Sequence, residues 1–132
     1  MIMDPIGDLL TRIRNAYLAR KQVTTVPFSR LKSDILKILK KNKYITDYSE
    51  IDTDVGKKDI QIHLNNVRET GVIPTLRRVS SPGQRMYVWA REIRKSRNWK
   101  GIFILSTPKW VVTGYEARSL NVGWEILCEV YQ

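Results

Sequence analysis

Apolar and polar positions change period along this chain, and each change marks an element. From residue 4 onward Ile6, Leu9, Leu10, Ile13 and Tyr17 recur on one face at helical spacing. Asp4 stands where a cap is needed and Pro5 at the first helical position, so a helix is predicted there. Arg12, Arg14 and Asn15 fall on its outer side. Val23 to Phe28 reads as a short strand. Helical period returns over Arg30 to Lys41, with Leu31, Ile35, Ile38 and Leu39 as the stripe and Ser29 as the cap. Lys37, Lys40 and Lys41 crowd its C-terminal end, where cations suit the helix dipole, so stability alone accounts for them. A hairpin follows: Tyr44 to Ile51 is one arm, Asp54-Val55-Gly56-Lys57 the turn, and Ile60, Ile62 and Leu64 alternate on the other.

Asn65 to Gly71 is polar and reads as a junction. Beyond it strands dominate. Val72 to Val79 leads to Ser80-Ser81-Pro82-Gly83, whose chemistry is that of a turn. Met86 to Val88 is a short strand and Arg91 to Arg97 a basic, helical segment. Ile102 to Ser106 and Val111-Val112 form a hairpin. Thr113 with Glu116 three residues on has the form of a capping box, opening a short helix to Leu120. Trp124 to Tyr131 closes the chain as a strand. The expected fold class is therefore α/β of the α+β kind, in two small domains. Residues 1–66 make an N-terminal α-β-α-β-β domain, and residues 67–132 a mostly β C-terminal domain with short helices.

Charge adds a partner to this picture. Lys and Arg number 23 against 13 Asp and Glu, a formal +10. The excess is spread over both halves, with 12 basic and 8 acidic side chains in residues 1–66 and 11 and 5 in residues 67–132. Such an excess predicts a polyanion, because each phosphate neutralised releases a condensed counterion. The hairpin tip is the place to look. Ile104-Leu105 runs into Ser106, Thr107 and Lys109 before the chain returns as Val111-Val112. Short hydroxyls reach ribose oxygens and base edges, and the cation meets phosphate, although the same residues also suit a solvated hairpin. No apolar run is long enough to span a bilayer, and the N-terminus lacks a basic leader before an apolar stretch. A single cysteine forms no internal disulfide, which fits a reducing compartment. A soluble, intracellular protein is expected.

Catalysis is not expected. His63 is the only histidine and lies on the polar side of an alternating strand. Cys128 alternates with Ile126 and Val130 as a small core residue would. Asp52, Asp54 and Asp59 lack the ladder and terminal Glu of a calcium loop, and Ser106-Thr107 lacks the frame of a hydrolase elbow. No metal, cofactor, membrane or small-molecule substrate is predicted. A basic DNA-binding or regulatory RNA-binding protein is the rival reading, but a whole strand separates the two helices where a helix-turn-helix has a short turn.

Four segments in order carry a resemblance. They are Asp4 to Ala16, Pro27-Phe28-Ser29-Arg30-Leu31-Lys32, Arg78 to Tyr87, and Ser106 to Thr113, followed by Glu116-Ala117-Arg118 and Gly123 to Cys128. Over nearly the whole chain this resembles the bacterial-type small-subunit ribosomal protein eight family. The resemblance implies a primary binder of the central domain of small-subunit rRNA, with neighbouring small-subunit proteins as further partners. It also implies a two-domain fold whose C-terminal domain makes the principal RNA contact, in the cytoplasm or an organelle matrix. Residue by residue, it makes Ser106 and Thr107 the hydroxyl loop that enters an RNA minor groove, with Lys109 beside them. Thr113 ends that motif, Tyr87 is an aromatic near the RNA, and Gly123 and Glu125 open the last strand. Arg12, Asn15, Arg30 and Lys32 match first-domain positions facing a second rRNA surface.

The departures from that pattern are systematic. Pro108 stands for a Ser and Val112 for a Met, and Trp89, Trp99, Trp110 and Trp124 all stand where the family usually has glycine. Glycine at such places commonly supplies a conformation that tryptophan disfavours. Four independent changes of this kind predict a source that reads UGA as glycine, the chain having been translated conceptually with UGA as tryptophan. The alternative is a set of aromatic platforms that stack on RNA.

Overall fold

Both long helices begin on a side-chain cap and end on a cation. In the computed structural model, α1 spans Pro5–Leu18 and α2 spans Arg30–Lys41. Asp4 Oδ1 accepts the Gly7 N–H at 3.0 Å, and Ser29 Oγ accepts the Lys32 N–H at 3.1 Å. A side chain on Gly7 would push the Asp4 carboxylate off that bond. At the other ends Arg20 and Lys43 take left-handed conformations, with φ of 57° and 65°. Lys21 N–H then reaches Ala16 O at 2.9 Å, and Tyr44 N–H reaches Leu39 O at 2.9 Å, closing a Schellman turn on each helix. Glycine usually fills this position. A non-glycine residue there costs about 1 kcal/mol, which a cation beside the negative end of the dipole partly offsets.

The structure describes residues 4–67, 71, 73–88, 101–107, 110–120 and 124–131. The chain divides into two units, Asp8–Ile73 and Met1–Gly7 with Pro74–Gln132. In the first, β1 (Val23–Pro27), β2 (Asp47–Asp54) and β3 (Lys57–His63) form an antiparallel sheet in the order β1-β3-β2. The first hairpin arm starts later than its apolar pattern suggests, because Tyr44 is still closing α2. Gly56, with φ of 76°, makes the turn between β2 and β3. Val26 and Thr24 lie opposite Ile60 and Ile62. Val26, Ile60 and Ile62 are buried, as are Leu9, Leu10, Ile13 and Tyr17 of α1 and Ile35, Leu36 and Leu39 of α2. The Tyr17 hydroxyl donates to Tyr44 O at 2.5 Å and accepts the Asn65 N–H at 3.3 Å, and burial raises its pKa. Asn65 also accepts from the Thr46 hydroxyl and donates to Lys43 O, each at 2.9 Å.

In β1 the Phe28 N–H donates to Lys58 O, so even-numbered residues bond towards β3 and odd-numbered carbonyls point outward. Two of those outward carbonyls receive cations from the helices. Arg12 Nη1 donates to Thr25 O and Lys32 Nζ to Pro27 O, both at 3.2 Å.

The second unit holds β4 (Thr75–Arg78), β5 (Tyr87–Val88), β6 (Ile102–Ser106), β7 (Val111–Thr113), α3 (Gly114–Leu120) and β8 (Trp124–Tyr131). All pairings are antiparallel in the order β4-β8-β6-β7, and β5 also pairs with β8. Ala117 of α3 packs with Leu105, Val112, Phe103 and Ile126 on one face. On the other, Leu76, Ile104, Cys128 and Val130 are buried. Burial pushes the Cys128 thiol up to about 12, with Arg78 opposing. Arg78 lies opposite Cys128 and pairs with Asp4 at 2.8 Å, so the residue that caps α1 also holds this strand. The basic segment predicted over Arg91 to Arg97 lies outside the described residues, as do Trp89 and Trp99.

Candidate nucleic-acid interface

A sheet face that is apolar at one end turns polar at the other, and the turning point is a β-bulge. Ile104 lies opposite Cys128, but the register shifts before Leu105, which faces Ile126, and Ser106 then faces Glu125. An unshifted ladder would set Ser106 against Ile126. Bulges are commonly placed where a side chain must be re-aimed next to a site. On the other side of β8, Tyr87 faces the same Glu125. Tyr87, Glu125 and Ser106 therefore form a row across three strands on one face, with Val111 beyond Ser106 on β7. Cross-strand neighbours of this kind lie ~5 Å apart. Tyr87 is 62% exposed, whereas the Glu125 side chain is 14% exposed.

The strand that brings Tyr87 to this row is held by a buried serine. Ser80 Oγ accepts the Met86 N–H at 2.8 Å and donates to Met86 O at 3.3 Å. Ser81 and Gln84 bond each other across the turn at 2.9 and 3.0 Å. Both ends of the excursion are fixed to one β8 residue: Ser80 N–H donates to Ile126 O at 3.2 Å, and Ile126 N–H donates to Met86 O at 2.9 Å. On this turn Arg85 Nη1 donates to Glu125 Oε2 at 3.0 Å.

The two hydroxyls of the hairpin tip have different tasks. Thr107 Oγ1 donates to Trp110 O at 2.6 Å and accepts the Trp110 N–H at 3.1 Å, so it closes the tip. Ser106 is the one aligned with Glu125 and Tyr87. Thr113 is buried and serves the capping box, accepting the Glu116 N–H at 3.1 Å and donating to Glu116 Oε1 at 3.2 Å. Lys109 and Gly123 lie outside the described residues.

The expected first-domain contacts belong to the other unit. Asn15 and Arg30 are exposed, on α1 and at the start of α2. Arg12 pairs with Asp8 at 3.0 Å as well as with Thr25 O, and Lys32 is buried against Pro27 O. Arg85 and Ser80 were not singled out from the sequence. Arg85 had a signal: it stands two residues before Tyr87, and period two puts both on one strand face. Ser80 had none, since a buried serine and a solvated turn serine read alike.

The conformational argument about tryptophan is corrected at two positions. Among the described residues only Arg20 and Lys43 combine a side chain with positive φ, so neither Trp110 nor Trp124 sits in a backbone reserved for glycine. Trp110 is half exposed beside the tip, and Trp124 pairs with Val88 in the ladder. Among the described residues no group of three or more His, Cys, Asp or Glu side chains is placed to hold a metal, and no helix is long and apolar enough to cross a membrane.

Comparison with known proteins gives one consistent answer. Residues 4–131 match the family model described as Ribosomal protein S8. The chain is 48% identical over 130 residues to small ribosomal subunit protein uS8 of Mesorhizobium japonicum, covering 98% of each chain. It is 46% identical over 128 residues to the uS8 of Paracoccus denitrificans, covering 97% of each. With the uS8 of Thermus aquaticus it shares 48% over 139 aligned positions, covering 99% of this chain and all of the relative.

Proposed function

The chain belongs to the ribosomal protein S8 family and is a structural, non-catalytic constituent of the small ribosomal subunit, and from that premise we propose that it binds the central domain of small-subunit rRNA. In this reading residues 67–132 form the principal rRNA-binding domain, and residues 1–66 a second domain that meets further rRNA and neighbouring small-subunit proteins. The row Tyr87–Glu125–Ser106 beside the Thr107-closed tip carries the proposal. A-form RNA offers a wide, shallow minor groove lined with 2′-hydroxyls, and a preformed sheet edge with short polar groups fits that shape. Lys109, two residues after Thr107 in the sequence, is the cation proposed to meet the flanking phosphates. Arg12, Asn15 and Arg30 are the first-domain candidates for direct contact, while Lys32 supports them by fixing the loop from Pro27 to Ser29.

The test is a central-domain rRNA fragment titrated with the protein and with Ser106→Ala/Thr107→Ala. The double substitution is expected to weaken binding about tenfold or more without lowering the melting temperature much, because the Ser106 contact is lost and the exposed tip that Thr107 closes is loosened. Unchanged affinity at physiological salt rejects the site. Preference for duplex DNA of the same length would favour the rival regulatory reading. Lys109→Ala is expected to flatten the salt dependence by roughly one unit or less.

We also propose that the four tryptophan positions carry glycine in the native protein. Intact-mass measurement on material from the natural source decides this. A mass lower by four tryptophan-to-glycine differences supports reassigned UGA codons, and a mass matching four tryptophans rejects it.

A further inference from the structure

A carboxylate in the middle of a surface meant for RNA is an electrostatic problem, and the structure shows how it is handled. Glu125 sits between Tyr87 and Ser106 in the proposed rRNA-facing row. A bare carboxylate there would repel phosphates, and its burial would raise the cost further. Arg85 meets it with a 3.0 Å charge-assisted bond to Oε2, and the Arg85 side chain is still 45% exposed. The arginine is carried on the turn that Ser80 pins to Met86, so its position is set by the fold.

We propose that Arg85 is a positioning residue of the RNA site, acting through Glu125. It neutralises the carboxylate and fixes its orientation, so that the row takes up ribose hydroxyls and base amino groups with no net negative charge. The carboxylate contributes selectivity: it accepts hydrogen bonds from a 2′-hydroxyl or an exocyclic amine and gives nothing to a phosphate. The ligand class implied is an RNA minor-groove edge, and a 2′-deoxy backbone would be discriminated against at this row. The inference rests on the rRNA-binding reading of the same face.

Four proteins separate the possibilities: wild type, Arg85→Ala, Glu125→Gln and the double variant, titrated with the central-domain fragment. Removing Arg85 alone leaves Glu125 uncompensated, and a loss of about tenfold or more is expected. Glu125→Gln alone should cost less. In the double variant the repulsion is gone, so affinity should recover part of what Arg85→Ala lost. Arg85→Lys, which keeps a cation but not the planar fork, should fall between wild type and Arg85→Ala. The same titrations with 2′-deoxy substitutions in the fragment should show a smaller penalty for Glu125→Gln than for wild type.

Additive losses, with no recovery in the double variant, would mean that Arg85 contacts phosphate directly and would overturn the proposal. So would an Arg85→Ala protein that binds as wild type. If that variant fails to fold, Glu125→Gln with the 2′-deoxy fragments still decides, since an unchanged deoxy penalty removes Glu125 from recognition. Failure of this scheme while Ser106→Ala/Thr107→Ala still weakens binding leaves the rRNA face standing and removes only the Arg85–Glu125 mechanism. If both fail, the face itself is wrong.

Discussion

The two units of this chain are both rich in charged and polar side chains, yet they deploy them differently. In the unit Asp8–Ile73 four cations are engaged by groups of the unit itself. Arg12 holds Asp8 and a β1 carbonyl, Lys32 holds another, Lys40 pairs with Asp47 at 2.9 Å, and Lys58 pairs with Glu50 at 3.8 Å. In the other unit Arg77 and Arg78 likewise pair with Glu129 and Asp4, but the buried hydroxyls of Ser80 and Thr113 add to the holding, and Ser106, Tyr87 and the Arg85–Glu125 pair are lined up on a sheet face. Net charge therefore does not locate an RNA site. What marks the proposed site is a row of polar groups whose register is fixed by the fold.

That contrast can be broken most severely at Asp4. Asp4→Ala removes the α1 cap and the 2.8 Å ion-pair partner of Arg78 Nη1, on an arginine whose Nε is buried with no hydrogen-bond partner among the described residues. A loss of roughly 2–3 kcal/mol in urea unfolding is expected. Asp4→Asn, which keeps a capping oxygen, should cost less. Lys32→Met comes next. If this cation is structural, stability falls by about 1–2 kcal/mol from the lost bond to Pro27 O, and the salt dependence of rRNA binding stays unchanged. A flatter salt slope would instead make Lys32 an RNA contact and blur the distinction between the units.

Lys43→Gly sharpens the same distinction with a smaller gain. The left-handed position no longer strains a side chain, and stability should rise by a few tenths to about 1 kcal/mol with RNA affinity untouched. Cys128 shows its effect only at high pH. Its thiol titrates at 9.0 when unfolded and at about 12 when folded, so the native state keeps the proton longer. Stability should be flat below pH 9 and fall between about 9 and 12. Thiol reagents near neutral pH should label it only after unfolding, and rapid labelling of the native protein would place Cys128 outside the core.

Much of this was legible in the chain. Ser29 as the α2 cap, the Thr113–Glu116 box and the last strand from Trp124 to Tyr131 stand where local chemistry puts them. Tyr44 misled because a buried aromatic reads the same in a strand as in a helix closure, and Lys43 carries no hint of its left-handed φ. The row of Tyr87, Glu125 and Ser106 depends on a bulge and on pairings between strands far apart in sequence, which no local pattern encodes. The resemblance marked those residues, but only the register shows that they share one row. The roles of Arg85 and Ser80 could not be read because their partners lie in the fold: period two aligns Arg85 with Tyr87 but does not show Glu125, 40 residues away, and Ser80 matters through a backbone group.

The cations on the Thr25 and Pro27 carbonyls have a consequence for the protein before assembly. An open strand margin is a template for another chain. Here two outward carbonyls of β1, those of Thr25 and Pro27, are already occupied, and Pro27 has no amide hydrogen to offer an intruder. The opposite margin, β2, carries Asp47, Glu50, Asp52 and Asp54; Lys40 and Lys58 pair with the first two, which leaves Asp52 and Asp54 to repel an identical copy laid alongside. Each border of the small sheet thus resists self-association by a different means.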